Sequence, residues 1–245
     1  MKHRFFVGSK DIVADEIVLK DENAAHAFVL RLAIGEEVVI CDGSAIDYHC
    51  VITSCTKLET RAKVVHKLQN MSEPSIAITL FQALPKAGKM DEIVEKCTQL
   101  GISRIVPVIT ARCITKISDR DIKKINRLQK IAQSAASQSQ RGKIPQINSA
   151  VTFETALQEA KAHDAIFVCY EAEEQLSLRA FLQGQSQSLS SVAFFIGPEG
   201  GFEDNEIAKF KENGVATVSL GARILRTELA GVVVLSNIIY ELDLI

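Results

Sequence analysis

Apolar and polar residues alternate at short intervals through the first seventy positions, and the grammar changes after them. "RFFVG" and "EIVLK" are brief β-type runs. "EEVVICDGSAIDYHCVITSC" reads as two strands about a D-G turn, and "TRAKVVHKL" as a further strand. One short helix fits "ENAAHAFVLRL". Short strands with close turn signals predict a small barrel over residues 1–70, and "QNMSEPS" (69–75) reads as a linker. From residue 76 to 245 the runs lengthen. "IAITLFQAL" is unbroken, as expected of a strand buried on both faces. "KMDEIVEKCTQLG" has helical spacing with Gly101 at the capping position, and "SRIVPVI" is the next strand. A long helix is expected from about Ser118 to Gln140, with Ile122, Ile125, Leu128 and Ile131 on one face. "AIFVCY", "VAFFI" and "ATVSL" are further strands, with helical segments between and after them. This alternation predicts an α/β domain with a mostly parallel sheet.

Composition narrows the class. The chain has 245 residues, 47% apolar and 24% charged, which suits a folded soluble protein of one or two domains. Its net charge of −2 announces no bulk affinity for nucleic acid, although a neutral sum can hide a local patch. "MKHRFFVGSK" lacks the apolar core of a secretory signal, and no run of apolar residues is long enough to span a bilayer, so a cytoplasmic protein is expected. The six cysteines are scattered without a C-x-x-C pair and read as buried thiols; no metal site is expected.

Two segments carry candidate chemistry. "FFIGPEGGF" and "VSLGARILRTELAG" are each an apolar strand, then glycine, then a polar turn leading toward a helix. One such turn is explained by strand-to-helix geometry alone. Two, with Glu199, Arg226, Thr227 and Glu228 just past strand ends, point to a ligand beyond the carboxyl edge of the sheet. No G-x-G or G-K-[ST] occurs, and "GPEGG" puts a carboxylate where polyphosphate needs positive charge, so the ligand expected is free of phosphates. No G-x-S-x-G elbow is present, and His163, like His3, His26, His49 and His66, reads as structural or solvated. A basic stretch carries Arg112, Lys116, Arg120, Lys123, Lys124, Arg127, Lys130, Arg141 and Lys143 against only Asp119 and Asp121. Lys86 and Lys89 in "PKAGKM", and Lys2 and Arg4 near the start, add to it. It reads either as a solvated helix face or as a track for backbone phosphates.

These strings also resemble a family. "IGPEGGF" followed by "VSLGARILRTELA" is similar to the cofactor signature of the SPOUT RNA methyltransferases, and in detail to the ribosomal RNA small subunit methyltransferase E family. "FVLRLAIGEEVVICDG" resembles that family's N-terminal PUA-like barrel, and "LPKAGKMDEIVEKCTQLGISRIVPVITARCITK" the opening of its catalytic domain. The resemblance covers almost the whole chain. It implies an α/β trefoil-knot domain at 76–245 preceded by a PUA-like RNA-binding β-barrel at 1–70. It also implies a homodimer and S-adenosylmethionine as cofactor, held by Ile196, Gly197, Pro198, Glu199, Gly200, Gly201, Leu220, Gly221, Ile224, Leu225, Arg226, Thr227 and Glu228.

The implied reaction methylates N3 of a uridine in small-subunit ribosomal RNA, with the assembled subunit as the expected substrate and naked RNA as the alternative that the sequence leaves open. Negative charge then develops on the uracil oxygens, which a guanidinium suits, so Arg226 and Arg141 are the catalytic candidates. Glu228 either accepts the proton or orients Arg226. RNA contacts are expected from Arg4, Lys86, Lys89, Arg112, Lys116, Arg141 and Lys143. The chain departs from the family at three places. The usual proline is Ala222, a threonine is Leu229, and "EQSGR" appears as "SQSQR" (137–141), which loses the acid and the glycine. That last change is the best argument for the alternative, a non-catalytic RNA-binding or ribosome-assembly factor. A metabolic enzyme acting on a small nucleotide is a further rival.

Overall fold

The computed structural model describes residues 2–86, 88–113, 121–185 and 189–242. It divides into two compact units, Met1–Glu73 with Gln133–Ile144, and Pro74–Ala132 with Pro145–Ile245. The first unit thus takes in a segment that sequence pattern alone left with the second.

The first unit is a six-stranded sheet. Its strands are β1 (His3–Phe6), β2 (Ile12–Val13), β3 (Glu16–Lys20), β4 (Glu37–Cys41), β5 (Ile46–Cys55) and β6 (Glu59–Gln69). They lie in the order β1-β4-β5-β6-β3-β2, antiparallel except where β1 runs beside β4. Alternate residues Ile17 and Leu19, Val38 and Ile40, and Cys50 and Ile52 face one core, together with Phe5, Ala27 of helix α1 (Asp21–Val29) and Ala62. Each large side chain so buried contributes about 1.5–3 kcal/mol.

Two arginines expected on the RNA surface are buried in this unit. Arg4 Nη1 and Nη2 donate to Asp47 Oδ1 and Oδ2 at 2.7 and 2.6 Å, and Asn70 Nδ2 joins the same carboxylate at 3.2 and 3.1 Å. Burial opposes the charge on Asp47, but hydrogen bonds from Arg4, Cys41 and Asn70 outweigh it and hold its pKa below the ordinary value. Arg141, 2% exposed, donates from Nη2 to Glu73 Oε2 at 2.6 Å and from Nε to Oε1 at 3.2 Å. A guanidinium removed from water needs such a bidentate partner, and neither is displayed for phosphate contact.

The second unit is an α/β sheet whose paired strands are all parallel. Its main strands are β7 (Ala77–Ala83), β8 (Arg104–Ile109), β11 (Ala165–Cys169), β12 (Ser191–Ile196) and β13 (Ala216–Val218), with short β9 (Gln146–Ile147) and β10 (Val151–Thr152). The order is β10-β8-β7-β12-β11-β13, and β9 also pairs with β8. β7 and β12 are central, which is why "IAITLFQAL" and "VAFFI" lack alternation. Phe81 and Phe195, partners in register, stack with centroids 4.7 Å apart. Pro107 is accommodated in β8 because it falls between the stretches paired with β9 and β10, on the side where the Ser103 and Ile105 carbonyls accept from Gln146 and Asn148. The helices are α2 (Lys89–Gln99), α3 (Asp121–Gln138), α4 (Phe153–Ala160), α5 (Leu178–Gln183), α6 (Asp204–Glu212) and α7 (Thr227–Glu241). The last residues of α3 belong to the first unit.

Two of these helices end on the same device with different residues. After α2, Gly101 at φ +99° donates to Thr98 O and Ile102 donates to Cys97 O. After α3, Gln140 at φ +61° donates to Ser137 O and Arg141 to Ala136 O. Both are Schellman motifs, whose left-handed position favours glycine. Gln140 stands where the resembled family carries that glycine, so the departure is a strained helix stop. Gln140→Gly is expected to stabilise the chain by about 0.5–1 kcal/mol, after the extra unfolded-state entropy of glycine is subtracted. Thermal denaturation followed by circular dichroism should show the midpoint rising by roughly 1–4 °C.

Candidate active site

Three adjacent strands, β12, β11 and β13, end at the same edge of the second sheet, and their following loops line one cleft of about 1040 Å³. Crevices beyond the carboxyl ends of parallel strands are where open α/β sheets hold ligands. The loop after β12 contributes Gly197 to Phe202, and the loop after β13 contributes Ser219 to Arg226. Every residue expected to hold the cofactor lines this cleft except Glu228, which ion-pairs with one that does.

The third wall, after β11, was missed by sequence reading. Tyr170, Glu171, Glu173, Glu174, Gln175 and Ser177 line it. It is bound to the β13 loop by backbone bonds from Tyr170 to Val218 O, Ser219 to Leu176 O and Leu178 to Ser219 O. Glu173 is occupied in shaping this loop, accepting from Thr217 Oγ1 at 2.6 Å and from the Gln175 and Leu176 amides. The available signal was "AIFVCY" itself, since the loop after any strand of a parallel sheet points to the same edge. Arg223 also lines the cleft and was not singled out.

The glycines of the β12 loop have separate reasons to be there. Gly201 sits at φ +67°, and a Cβ on it would stand 2.5 Å from Glu171 Oε1. A Cβ on Gly197 would press within 3.3 Å of Gly201 Cα and the Phe202 ring. Arg112 Nη1 fixes the loop from outside by donating to Gly200 O at 2.6 Å. In the β13 loop, Gly221 supplies the left-handed turn at φ +96°.

Charge at the mouth is organised by Lys89, which was expected on RNA. Its Nζ lies 3.0 Å from Glu199 Oε1 and 3.0 Å from Glu228 Oε2, so one cation bridges the carboxylates of both glycine segments. The contact with Glu228 is electrostatic, because that oxygen receives no well-directed hydrogen bond among the described residues. Glu228 and Glu199 in turn raise the pKa of Lys89. The backbone amide of Glu228 and the Lys89 side chain hold Glu228 below the ordinary carboxylate range. Partial burial works against ionisation of Glu199, but backbone amides, including that of Lys86, and the Lys89 ammonium prevail and lower its pKa. The Glu199 carboxylate therefore shapes the turn by gripping Lys86 and Lys89.

Arg226 is the exposed N-terminal boundary residue of α7 and lines the cleft, and its charge acts on the Glu228 carboxylate without forming a close ion pair among the described residues. Arg141 does not line the cleft; it is held by Glu73 in the first unit. Of the two arginine candidates, Arg226 lines the cleft and Arg141 does not. His163 is held by Thr79 Oγ1 at 2.9 Å and the Ala160 carbonyl at 3.0 Å, a structural role. Along α3, Lys123, Lys124, Arg127 and Lys130 are exposed, with Arg127 paired to Asp91. Lys86, Arg112 and Lys143 are exposed, and Lys116 lies outside the described residues. Among the described residues, no cluster of three or more metal-ligating side chains occurs, and no helix is long and apolar enough to cross a membrane.

The comparisons with known proteins converge on this arrangement. Residues 72–239 match the family described as RNA methyltransferase domain, and residues 19–64 match the RNA methyltransferase PUA domain. The chain is 32% identical over 221 residues to a ribosomal RNA small subunit methyltransferase E of Bacillus subtilis (strain 168), covering 89% of this chain and 86% of that one. It is 30% identical over 240 residues to the same enzyme of Synechocystis sp., covering 97% and 77%. Among solved structures, a ribosomal RNA small subunit methyltransferase E from Neisseria gonorrhoeae bound to S-adenosyl methionine superposes with a TM-score of 0.89. It is 28% identical, and the match covers 98% of both chains. With the fold, the order of its two domains and the three-loop cleft all accounted for, the chain belongs to the ribosomal RNA small subunit methyltransferase E family.

Proposed function

We propose that the protein methylates N3 of a uridine in small-subunit ribosomal RNA, within the assembled subunit, using S-adenosylmethionine held in the three-loop cleft. The observation that carries the cofactor reading is that both glycine segments and the β11 loop wall a single cleft, with no phosphate cradle in it. The residues fit such a ligand. Glycines leave room for close backbone approach, carboxylates of Glu171 and Glu174 suit hydroxyl and ammonium groups, and the volume holds a molecule of that size. When bound, S-adenosylmethionine supplies the electrophilic methyl group.

The chain's own residues supply position and charge. The 197–201 and 220–227 loops hold the ligand, and Thr227 Oγ1 fixes their spacing by donating to Gly197 O at 2.7 Å. Arg226 faces the negative charge that develops on uracil oxygens as N3 loses its proton. Glu228, kept ionised, holds Lys89 and biases the local field. The target base is extruded to reach the strand ends. Exposed cations at Lys86, Arg112, Lys123 and Lys143 grip backbone phosphates, with Lys116 a further candidate. The first unit serves as the PUA-like RNA-binding domain. Exposed apolar residues Ile224, Leu229 and Tyr240, in and beside α7, suit a subunit interface, which supports the homodimer. The C-terminal unit is read as the knotted domain the resemblance implies, and the site of action as the cytoplasm, where ribosomes are.

Incubating the chain with labelled cofactor and small subunits lacking the modification should place label at uridine N3. Label on another base or on the ribose refutes the N3 reading. Cofactor binding without transfer, to subunits or to naked RNA, favours the non-catalytic alternative. Transfer should weaken steeply with salt, since several phosphate contacts cost orders of magnitude in affinity.

A further inference from the structure

Gln82 lies on β7 beneath the cleft, fully buried, paired in register with Ile196, the residue before Gly197. Its Nε2 is 3.0 Å from Ala83 O and 3.0 Å from Thr227 Oγ1. A backbone carbonyl can only accept, so the amide nitrogen must face Ala83. Thr227 Oγ1 therefore accepts from the same nitrogen, and its own proton is left for Gly197 O, 2.7 Å away. The bonds form a directed chain from the central strand to the first residue of α7 and on to the first glycine of the β12 loop. The other amide atom, Gln82 Oε1, is buried and receives no hydrogen bond among the described residues. For stability alone a methionine would fill this place without an unpaired oxygen.

We infer that Gln82 is a positioning residue for the reaction: it sets the register between the two glycine loops by orienting the Thr227 hydroxyl, and so fixes the width of the cofactor cleft. The inference rests on reading that cleft as the S-adenosylmethionine site. Gln82 does not line the cleft and acts only through Thr227.

The test uses the full chain with Gln82→Met, Thr227→Val and the double variant. Amide hydrogen exchange without ligand should show both loops, 196–202 and 219–229, exchanging roughly tenfold faster in Q82M, while amides of the first unit keep their rates. Calorimetry with S-adenosylmethionine should show Kd rising about fivefold in either single variant, the range of one net hydrogen bond. The double variant should bind no worse than T227V, because the chain is already broken. Thr227→Ser, which keeps the hydroxyl, should recover most of the exchange protection lost in T227V. A lower melting temperature for Q82M with unchanged loop exchange and Kd would mean a merely structural role and overturn the inference. So would strictly additive effects in the double variant. Wild-type chain that binds no S-adenosylmethionine overturns the cleft reading instead, and the exchange data still decide whether Gln82 couples the loops.

Discussion

Arg226→Ala should lower kcat for methyl transfer to small-subunit RNA by about 10²–10³, the range for removing one group that stabilises charge in a transition state. The Kd for S-adenosylmethionine, measured by calorimetry, should rise far less than kcat falls, because Arg226 is one of many residues lining the cleft whereas its stabilisation of developing charge acts only in the transition state. The expectation follows from availability. Of the two arginines that chemistry nominates, Arg141 is held in a close ion pair by Glu73, whereas Arg226 stands exposed in the cleft and feels the Glu228 carboxylate only through a longer-range charge interaction. Arg226→Lys should restore only part of the loss, since an ammonium cannot meet two in-plane acceptors. A raised KM at unchanged kcat would assign Arg226 to binding and sink the catalytic role.

The same geometry bears on the proton. The folded pKa of Glu228 is depressed by its backbone amide and Lys89, so its carboxylate form persists throughout the range above the ordinary carboxylate pKa, and whatever that charge stabilises is lost only as the pH falls through the lowered pKa. A carboxylate with a pKa far below the working pH is a weak base. Glu228 is thus better matched to holding Lys89 than to accepting the N3 proton, and the rate should climb with pH as N3 itself ionises.

Much of this site was legible because it follows local rules. The unbroken runs at β7 and β12 announced buried strands, and glycine after a strand announced a turn at the ligand edge. What stayed hidden depends on pairing across long sequence distances. Arg4 meets Asp47 at a separation of 43 residues, Arg141 meets Glu73 at 68, and Gln82 meets Thr227 at 145. A basic residue in a string looks the same whether it faces solvent or lies buried against a carboxylate, so Arg4, Lys89 and Arg141 all read as RNA contacts. The β11 loop was missed for the converse reason. Its carboxylates carry no motif, and only the strand order, β11 between β12 and β13, shows that it completes the cleft. Gln140 was visible as a departure, but its left-handed backbone was not.

Arg141→Ala should destabilise the chain by about 3–5 kcal/mol, the cost of leaving one member of a buried ion pair uncompensated. Urea denaturation should report it as a lower midpoint. Glu73 also accepts from the Gly142 and Lys143 amides at 3.0 Å, so its carboxylate ties the segment after α3 to the end of the first unit's sheet region. Glu73→Ala should therefore cost a comparable amount. The double variant should cost clearly less than the two losses added, because each single change already breaks the shared interaction. S-adenosylmethionine affinity of the folded R141A chain should stay near wild type, as every residue lining the cleft belongs to the other unit. Activity lost in this variant then tracks the folded fraction, and adding the stabilising Gln140→Gly should recover part of it. Activity lost at full stability would show that the buried guanidinium has a direct part in the reaction and return Arg141 to the catalytic set.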